Sequence, residues 1–189
     1  MNKNIIIPIF IAIGMTTGFS YFSSGLSLII TFVPGVILAL LFYFLTVYKK
    51  QPEPDKILPV YLLALGIQFI HFTEEYITGF NYKFPKLFNS PEYPLNTFVV
   101  FNMLAYFMFI MGAILIYKKI KPPMMIPLFF IMYGVIGNAI GHVIFCIVVG
   151  GYFPGIYTAL IYWIVGPIII KRIWIETRTD KKYGLQRSL

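Results

Sequence analysis

The stretch LSLIITFVPGVILALLFYFLTVYKK, residues 26–50, decides the fold, because 23 residues without a charge run directly into Lys49 and Lys50. A helix needs about 20 apolar residues to cross the hydrocarbon core of a bilayer. Five other runs show the same pattern, so the predicted spans are Ile5–Tyr21, Leu26–Tyr48, Ile57–Tyr76, Thr97–Tyr117, Met124–Val149 and Gly155–Ile170. Inside a bilayer such runs satisfy their backbone only as helices. The sequence therefore predicts an all-α polytopic membrane bundle with six transmembrane helices.

The composition excludes most other classes of protein. Of 189 residues, 59% are hydrophobic and 12% are charged, whereas about a quarter of the residues of soluble domains are charged. Such a chain cannot cover itself with a polar surface, which excludes a soluble globular enzyme. One cysteine excludes a disulfide scaffold. We predict a single transmembrane domain over residues 1–189, in an integral multi-pass protein of the cell membrane.

The net charge of +8 indicates orientation rather than nucleic-acid binding, because the basic residues form short clusters between the apolar runs. Of the 15 lysine and arginine residues, only Lys83 and Lys86 fall on the opposite side of the predicted spans from the others. By the positive-inside rule, both termini are predicted to be cytoplasmic. The basic tail, residues 171–189, is predicted to lie on the anionic inner leaflet.

Ionisable residues lie inside the third predicted span, in the sequence HFTEE at residues 71–75. On a helix, His71, Glu74 and Glu75 share roughly one face. A charge in the membrane interior costs several kcal/mol and points to function. The predicted spans contain no lysine or arginine near enough to pair with these carboxylates. Three alternatives follow: one or both glutamates are protonated, a protonated histidine pairs with one, or a divalent metal neutralises both.

Polar residues of other spans lie at a similar depth. Taking a rise of about 1.5 Å per residue, Glu75 and Asn102 lie roughly 8 Å inside the outer surface, and His71 and His142 roughly 12–14 Å inside. Asn138 lies one turn from His142, and Tyr152 and Tyr157 begin the last span near the rim. We therefore predict one site in the outer half of the bundle.

Roles follow from the residue types. Two histidines with a carboxylate are typical ligands of zinc or non-haem iron, so a divalent metal is predicted at His71, Glu75 and His142. The predicted catalytic residues are Glu74, Glu75 and His71. The predicted substrate-binding residues are Asn102, Asn138, Tyr152 and Tyr157. The sequence contains no H-E-x-x-H, G-x-S-x-G or P-loop motif.

The chain resembles the H-x-x-E-E family of small bacterial membrane proteins. The resemblance covers about residues 60–165 and excludes the first two spans. It depends on the segments FIHFTEEY (69–76), TGF (78–80), Asn102, Asn138 with His142, and YFPG (152–155) followed by Thr158 and Ala159. It implies a shared site at His71, Glu74, Glu75, Asn138 and His142 without fixing the reaction. As an analogy, sterol isomerases of the emopamil-binding protein group also carry a histidine and a glutamate on one membrane helix.

The site therefore favours a membrane-embedded enzyme, a hydrolase or an isomerase, acting on a lipid or isoprenoid-like substrate. A proton-coupled transporter is one alternative, since buried glutamate and histidine also form proton relays. A non-catalytic metal- or lipid-binding membrane protein is another. The predicted partners are membrane lipids and an apolar small-molecule substrate, with no nucleic acid. The sequence does not predict an oligomeric state.

Overall fold

The computed structural model describes residues 2–178, and every regular element in that range is helical. The elements in chain order are α1 Lys3–Phe22, α2 Ser27–Leu45, α3 Pro54–Thr78, α4 Phe80–Lys86, α5 Leu95–Tyr117, a 3-10 turn Pro122–Met124, α6 Met125–Phe129, a π-helix Phe130–Gly137, α7 Asn138–Val149, α8 Ile156–Ala159 and α9 Tyr162–Thr177. Six of the resulting segments are long and apolar enough to cross a membrane, which confirms the predicted all-α class and number of spans.

Local signals place the helix ends. The side chain of Asn2 accepts a hydrogen bond from the backbone N–H of Asn4 and so caps α1. Pro54 begins α3, where a missing backbone N–H has no cost. Gly79 ends α3 in the left-handed conformation, with a φ of 81°, and the chain turns directly into α4. The site therefore begins on a helix whose outer end is fixed by a glycine turn.

One end of the bundle collects the basic residues. The hydroxyl of Tyr48 lies 3.5 Å from the side chain of Asn2. The backbone carbonyl of Tyr48 accepts a hydrogen bond from Lys121. Arg172 donates to the backbone carbonyl of Lys56 at 3.0 Å. These contacts place the beginning of α1 and the end of α9 at the same end of the bundle.

The opposite end is closed by the segment before α5. The hydroxyl of Tyr93 accepts a hydrogen bond from the backbone N–H of Ser24 and lies 2.5 Å from the hydroxyl of Ser27. Asn81 donates to the carbonyl of Tyr93 at 3.1 Å. The segment is thereby folded over the turn between α1 and α2, above the candidate site.

The bundle is apolar on its outside as well as in its core. Side chains such as Ile147, Tyr157 and Ile164 are about 70% exposed, although they are large and hydrophobic. Buried tyrosines make hydrogen bonds to backbone carbonyls of neighbouring helices, as Tyr61 does to Phe109 at 2.8 Å. An apolar exterior around satisfied interior polar groups is the pattern of an integral membrane protein.

The structure differs from the prediction in four places. Helix α4 lies between the third and fourth predicted spans, where no helix was predicted, and the fifth span contains the π-helix. The sixth span is interrupted between α8 and α9 and continues to Thr177, seven residues beyond the predicted end. The basic tail was predicted to begin at Lys171, so its first part is helical. The remainder, residues 179–189, lies outside the described residues.

Candidate metal centre

Three buried side chains from two helices converge in the half of the bundle that lies away from its basic end. His71 and Glu75 lie one turn apart on α3, and His142 lies on α7. Their ligand atoms lie within 4.8 Å of one another, and each residue is at most 6% exposed. The Nε2 atoms of both histidines lie 3.4 Å from the same atom, Oε1 of Glu75. The predicted convergence of these three residues is thus confirmed.

The two imidazole rings approach each other closely because a glycine lies against them. Their centroids are 4.7 Å apart, with the ring planes at 85°. Gly155 has a φ of 89°, and a Cβ at this position would lie 2.5 Å from Cε1 of His142 and 2.8 Å from Cε1 of His71. Only glycine meets both requirements, a left-handed backbone and the absence of a side chain.

Glu74 does not join this cluster. Its carboxylate accepts four hydrogen bonds from the beginning of the last span: from the Tyr152 hydroxyl, the backbone N–H groups of Tyr157 and Thr158, and the Thr158 hydroxyl at 2.6 Å. Charge-assisted hydrogen bonds of this kind compensate a carboxylate without a cation. The sequence analysis allowed protonation, a protonated histidine or a metal ion, and it did not include compensation of Glu74 by hydrogen-bond donors. The prediction that all three motif side chains point the same way holds for His71 and Glu75 but not for Glu74.

Burial and, to a smaller extent, the hydrogen bond to Glu74 raise the pKa of the Tyr152 phenol above its usual value, while a hydrogen bond with Thr78 opposes the shift. The raised pKa keeps the phenol protonated over the physiological range. Tyr152 therefore remains a hydrogen-bond donor to Glu74.

The hydroxyl of Thr158 connects Glu74 to His71. A hydroxyl has one proton, and Thr158 donates it to Glu74 at 2.6 Å. Nδ1 of His71 lies 2.8 Å from the same oxygen, so it must be the protonated nitrogen of the ring. The lone pair of His71 is then on Nε2, which is buried without a hydrogen-bond partner among the described residues and faces Glu75. A hydrogen-bond partner on the other ring nitrogen, as Thr158 is for Nδ1 of His71, orients metal-binding histidines in proteins.

Aromatic rings close the outer side of the cluster. Phe84 and Phe153 are each 2% exposed, and the ring of Phe80 lies 5.7 Å from that of His142. Phe80 stacks on Phe84 at 4.7 Å. These apolar rings lower the local dielectric on one side of the cluster, which strengthens the electrostatic interactions there.

The spacing of the ligand atoms suits a metal ion. Ligands held at 2.0–2.1 Å around a tetrahedral zinc are about 3.3 Å apart, and the two nitrogen–oxygen distances are 3.4 Å. Two imidazoles and one carboxylate also form the ligand set of catalytic zinc sites and of the facial triad of non-haem iron. Both sites keep at least one coordination position open for water or substrate. His71, Glu75 and His142 are therefore close enough, and of the right chemistry, to hold a divalent metal.

The predicted substrate-binding residues separate into two groups. Asn102 and Asn138 line a cavity that also reaches Glu75, whereas Tyr152 and Tyr157 lie beside Glu74 at the outer rim. Asn138 donates to the carbonyl of Gly134 at 3.0 Å, and Asn102 to that of Phe98 at 2.9 Å. Their binding of a substrate stays a prediction.

Sequence reasoning missed two residues that complete the site. Gln68 lies one turn before His71, is 6% exposed, and accepts a hydrogen bond from Tyr162 at 2.8 Å and one from Asn138 at 3.4 Å. Its position in the same stripe as His71 was a usable signal. Thr158 is named only within the family resemblance, because nothing in its sequence context indicates a contact with His71.

A comparison with known families gives one match. The model of a family described as "Protein of unknown function with HXXEE motif" matches residues 62–170, more than half of the chain. The matched range contains the cluster, Glu74 and Thr158, and it begins after α1 and α2. No curated protein and no solved structure matches the chain.

Proposed function

The chain belongs to the family of proteins of unknown function with the HXXEE motif, and on the geometry of its cluster we propose that it is a membrane-embedded metalloenzyme. Its substrate is a lipid or isoprenoid-like molecule, and the reaction is hydrolysis or isomerisation. One observation carries the proposal: two imidazole nitrogens lie 3.4 Å from one buried carboxylate oxygen. Without a cation, Glu75 would be a buried charge compensated only by histidines.

Each residue has a distinct part. His71, Glu75 and His142 would hold zinc or iron, which would supply Lewis-acid chemistry by polarising a substrate oxygen or lowering the pKa of a water. Glu74, which the sequence predicted among the catalytic residues, is a positioning residue in this proposal, since its oxygens are occupied by four donors. It fixes Thr158, which fixes the proton of His71 on Nδ1. Asn138 and Asn102 face the cavity in which the substrate lies.

We place the basic end of the bundle, with both termini, on the cytoplasmic side of the cell membrane, and we treat the chain as one domain. The support is that Lys121 and Arg172 contact the same end of the bundle as Asn2, whereas Lys83 and Lys86 lie at the opposite end in α4. The metal centre then lies in the outer half of the membrane. Reporter fusions at both termini and after Lys86 test this placement, and an external N-terminus overturns it.

A proton-coupled carrier has less support. Transport requires polar groups on both sides of the central site. On the cytoplasmic side of Gln68 the interior is filled by Ala64, Leu65 and Leu128, which are at most 4% exposed. Among the described residues, no buried carboxylate or imidazole lies in this region, and the buried hydroxyl of Tyr61 there donates to a backbone carbonyl.

The metal content of the purified protein tests the proposal. We would purify the protein in mild detergent without a histidine tag and measure bound metals by mass spectrometry. The variants are His71→Ala and His142→Ala, with Glu92→Gln as a control that removes an exposed carboxylate paired with Lys86. We expect near-stoichiometric zinc or iron in the parent protein and in the control, and loss in both histidine variants. A parent protein that stays metal-free after resupply overturns the metal centre.

The activity requires its own measurement. We would incubate the metal-loaded protein with a total membrane lipid extract and compare lipid species by mass spectrometry. Conversion of a lipid species by the parent protein but not by His142→Ala is expected. A loaded protein that changes no species supports the non-catalytic binding protein instead.

A further inference from the structure

An apolar cleft runs between α1 and α5 towards the metal centre. Its volume is about 410 Å³, within the usual range of 300–1,000 Å³ for small-molecule sites. Its walls are apolar side chains of the two helices and of α6, namely Ile11, Met15, Phe19, Leu104, Met108 and Phe129. Leu104 and Met108 are 61% and 42% exposed, so the cleft opens on the side of the bundle that faces lipid.

The cleft adjoins the cavity at the cluster. That inner cavity has a volume of about 70 Å³ and is lined by Glu75. Gln68, Asn102, Asn138 and Tyr133 line both spaces. A molecule lying in the cleft therefore meets apolar walls along its length and reaches amide groups and Glu75 at its inner end.

The charges around this route define the ligand. No lysine or arginine is among the described residues that line either space, and the one ionisable carboxylate there is Glu75. A phosphate or carboxylate head group would find no lysine or arginine to pair with, and the proposed metal would be the single cation within its reach beside Glu75. A volume of about 70 Å³ admits a head group of a few heavy atoms. The site thus suits a neutral oxygen function, such as a hydroxyl or a carbonyl.

We infer that the cleft binds a neutral single-chain lipid, with its hydrocarbon chain between α1 and α5 and its oxygen head group beside Glu75. The lipid enters sideways from the membrane. The reaction of this lipid rests on the proposed function, but its binding in the cleft does not require a metal. Since α1 precedes the family match at residues 62–170, this helix adds a wall that the matched region does not contain.

Two glycines of α1 give a matched pair of variants. Gly18 lines the cleft, and a Cβ at Gly18 would have no atom within 4 Å, so a leucine there projects into the open space. A Cβ at Gly14 also has no atom within 4 Å, but Gly14 does not line the cleft. Gly18→Leu and Gly14→Leu change the helix propensity and the apolar surface of α1 equally.

Photolabelling tests the inference. The probe is a 16-carbon primary alcohol that carries a diazirine in its chain, added to the purified protein and mapped by mass spectrometry. We expect labels on cleft residues such as Met15, Phe19 and Met108. We expect labelling to fall about tenfold in Gly18→Leu, since a leucine occupies the space of the chain, and to stay unchanged in Gly14→Leu.

Competition and metal content separate the outcomes. An excess of an unlabelled isoprenoid or straight-chain alcohol is expected to displace the probe, and a two-chain phospholipid is not. Labels spread over exposed residues of α9, such as Trp163 and Ile164, with no effect of Gly18→Leu, overturn the inference, and so does displacement by phospholipid. Labelling of the cleft in a parent protein that stays metal-free after resupply leaves the inference standing, while the missing metal contradicts the metal centre.

Discussion

Nδ1 of His71 lies 2.8 Å from Oγ1 of Thr158, across 87 residues of sequence. Because the threonine hydroxyl gives its proton to Glu74, this contact fixes which nitrogen of His71 is protonated. The H-x-x-E-E motif is thereby divided into two functions. Glu75 and the free Nε2 of His71 face the space in which a metal would lie, and Glu74 holds the histidine in place through the last span.

Thr158→Val is expected to weaken metal binding without abolishing it. The substitution keeps the shape of the side chain but removes the acceptor of His71 and a donor to Glu74. Loss of such a partner typically lowers metal affinity by about 10–100-fold. Competition with a metal-binding dye measures the change, and Thr158→Ser should restore most of the affinity. An equal loss in both variants would show that packing of the methyl group, not the hydroxyl, is what matters.

Glu74→Gln and Glu75→Gln form a matched pair of neighbouring isosteric substitutions. Glu75→Gln removes a ligand, so we expect loss of bound metal. Glu74→Gln replaces an acceptor of four hydrogen bonds by a neutral amide, so we expect the stoichiometry to persist with a lower affinity. It should also lower stability by about 0.5–1.5 kcal/mol, because partly exposed donors lose a charged acceptor.

Metal content and melting temperature of the two variants check this prediction. Equal loss of metal in both would contradict the positioning role of Glu74 and restore it as a ligand. Unchanged metal in Glu75→Gln would remove this residue from the centre.

Much of the fold could be predicted because the bilayer allows few solutions. A run such as residues 26–48 has the length of a span and no charge, and its helical form follows from the need to satisfy the backbone. The π-helix and the break between α8 and α9 could not be predicted, because tertiary packing decides where an apolar run departs from α-helical geometry. Helix α4 was missed because Phe80–Lys86 is short and lies among prolines and aromatic residues.

The candidate site could be predicted only where chemistry is unusual for a membrane. His71, Glu75 and His142 stand out because ionisable groups are rare in apolar spans. Thr158 and Gly155 are residues that occur commonly in membrane helices and turns. Their roles in the site depend on contacts with His71 and His142, which lie on other helices. The direction of Glu74 was wrongly predicted because neighbouring helical positions differ by about 100°, so one of two adjacent glutamates must turn towards another helix.

Removal of the metal is expected to destabilise the parent protein. A ligand that binds only the folded state stabilises it by about 4 kcal/mol when its free concentration is 1,000-fold above Kd. Treatment with a chelator should therefore lower the melting temperature of the parent protein in detergent. His142→Ala, which lacks a ligand, should melt at one temperature with and without the chelator. A parent protein insensitive to the chelator after metal loading would contradict a structural contribution of the ion.

Gly155→Ala is expected to displace His71 and His142 and so to weaken the metal centre, and Gly151→Ala is its control. At Gly155, a Cβ would lie 2.5 Å from His142 and 2.8 Å from His71, and the φ of 89° adds a cost of about 1–2 kcal/mol for any side chain. Both rings must then move, and a displacement of about 0.5 Å is enough to spoil a preorganised site.

At Gly151, four residues earlier in the same turn, a Cβ would have no atom within 4 Å and the φ is not positive. We therefore expect Gly155→Ala to lower both the melting temperature and the bound metal, and Gly151→Ala to change neither. The measurements are thermal unfolding in detergent and metal analysis of the same samples. Full metal content in Gly155→Ala would mean that the site binds metal after His71 and His142 have moved apart. This result would contradict a metal centre that requires the close approach of the two histidines.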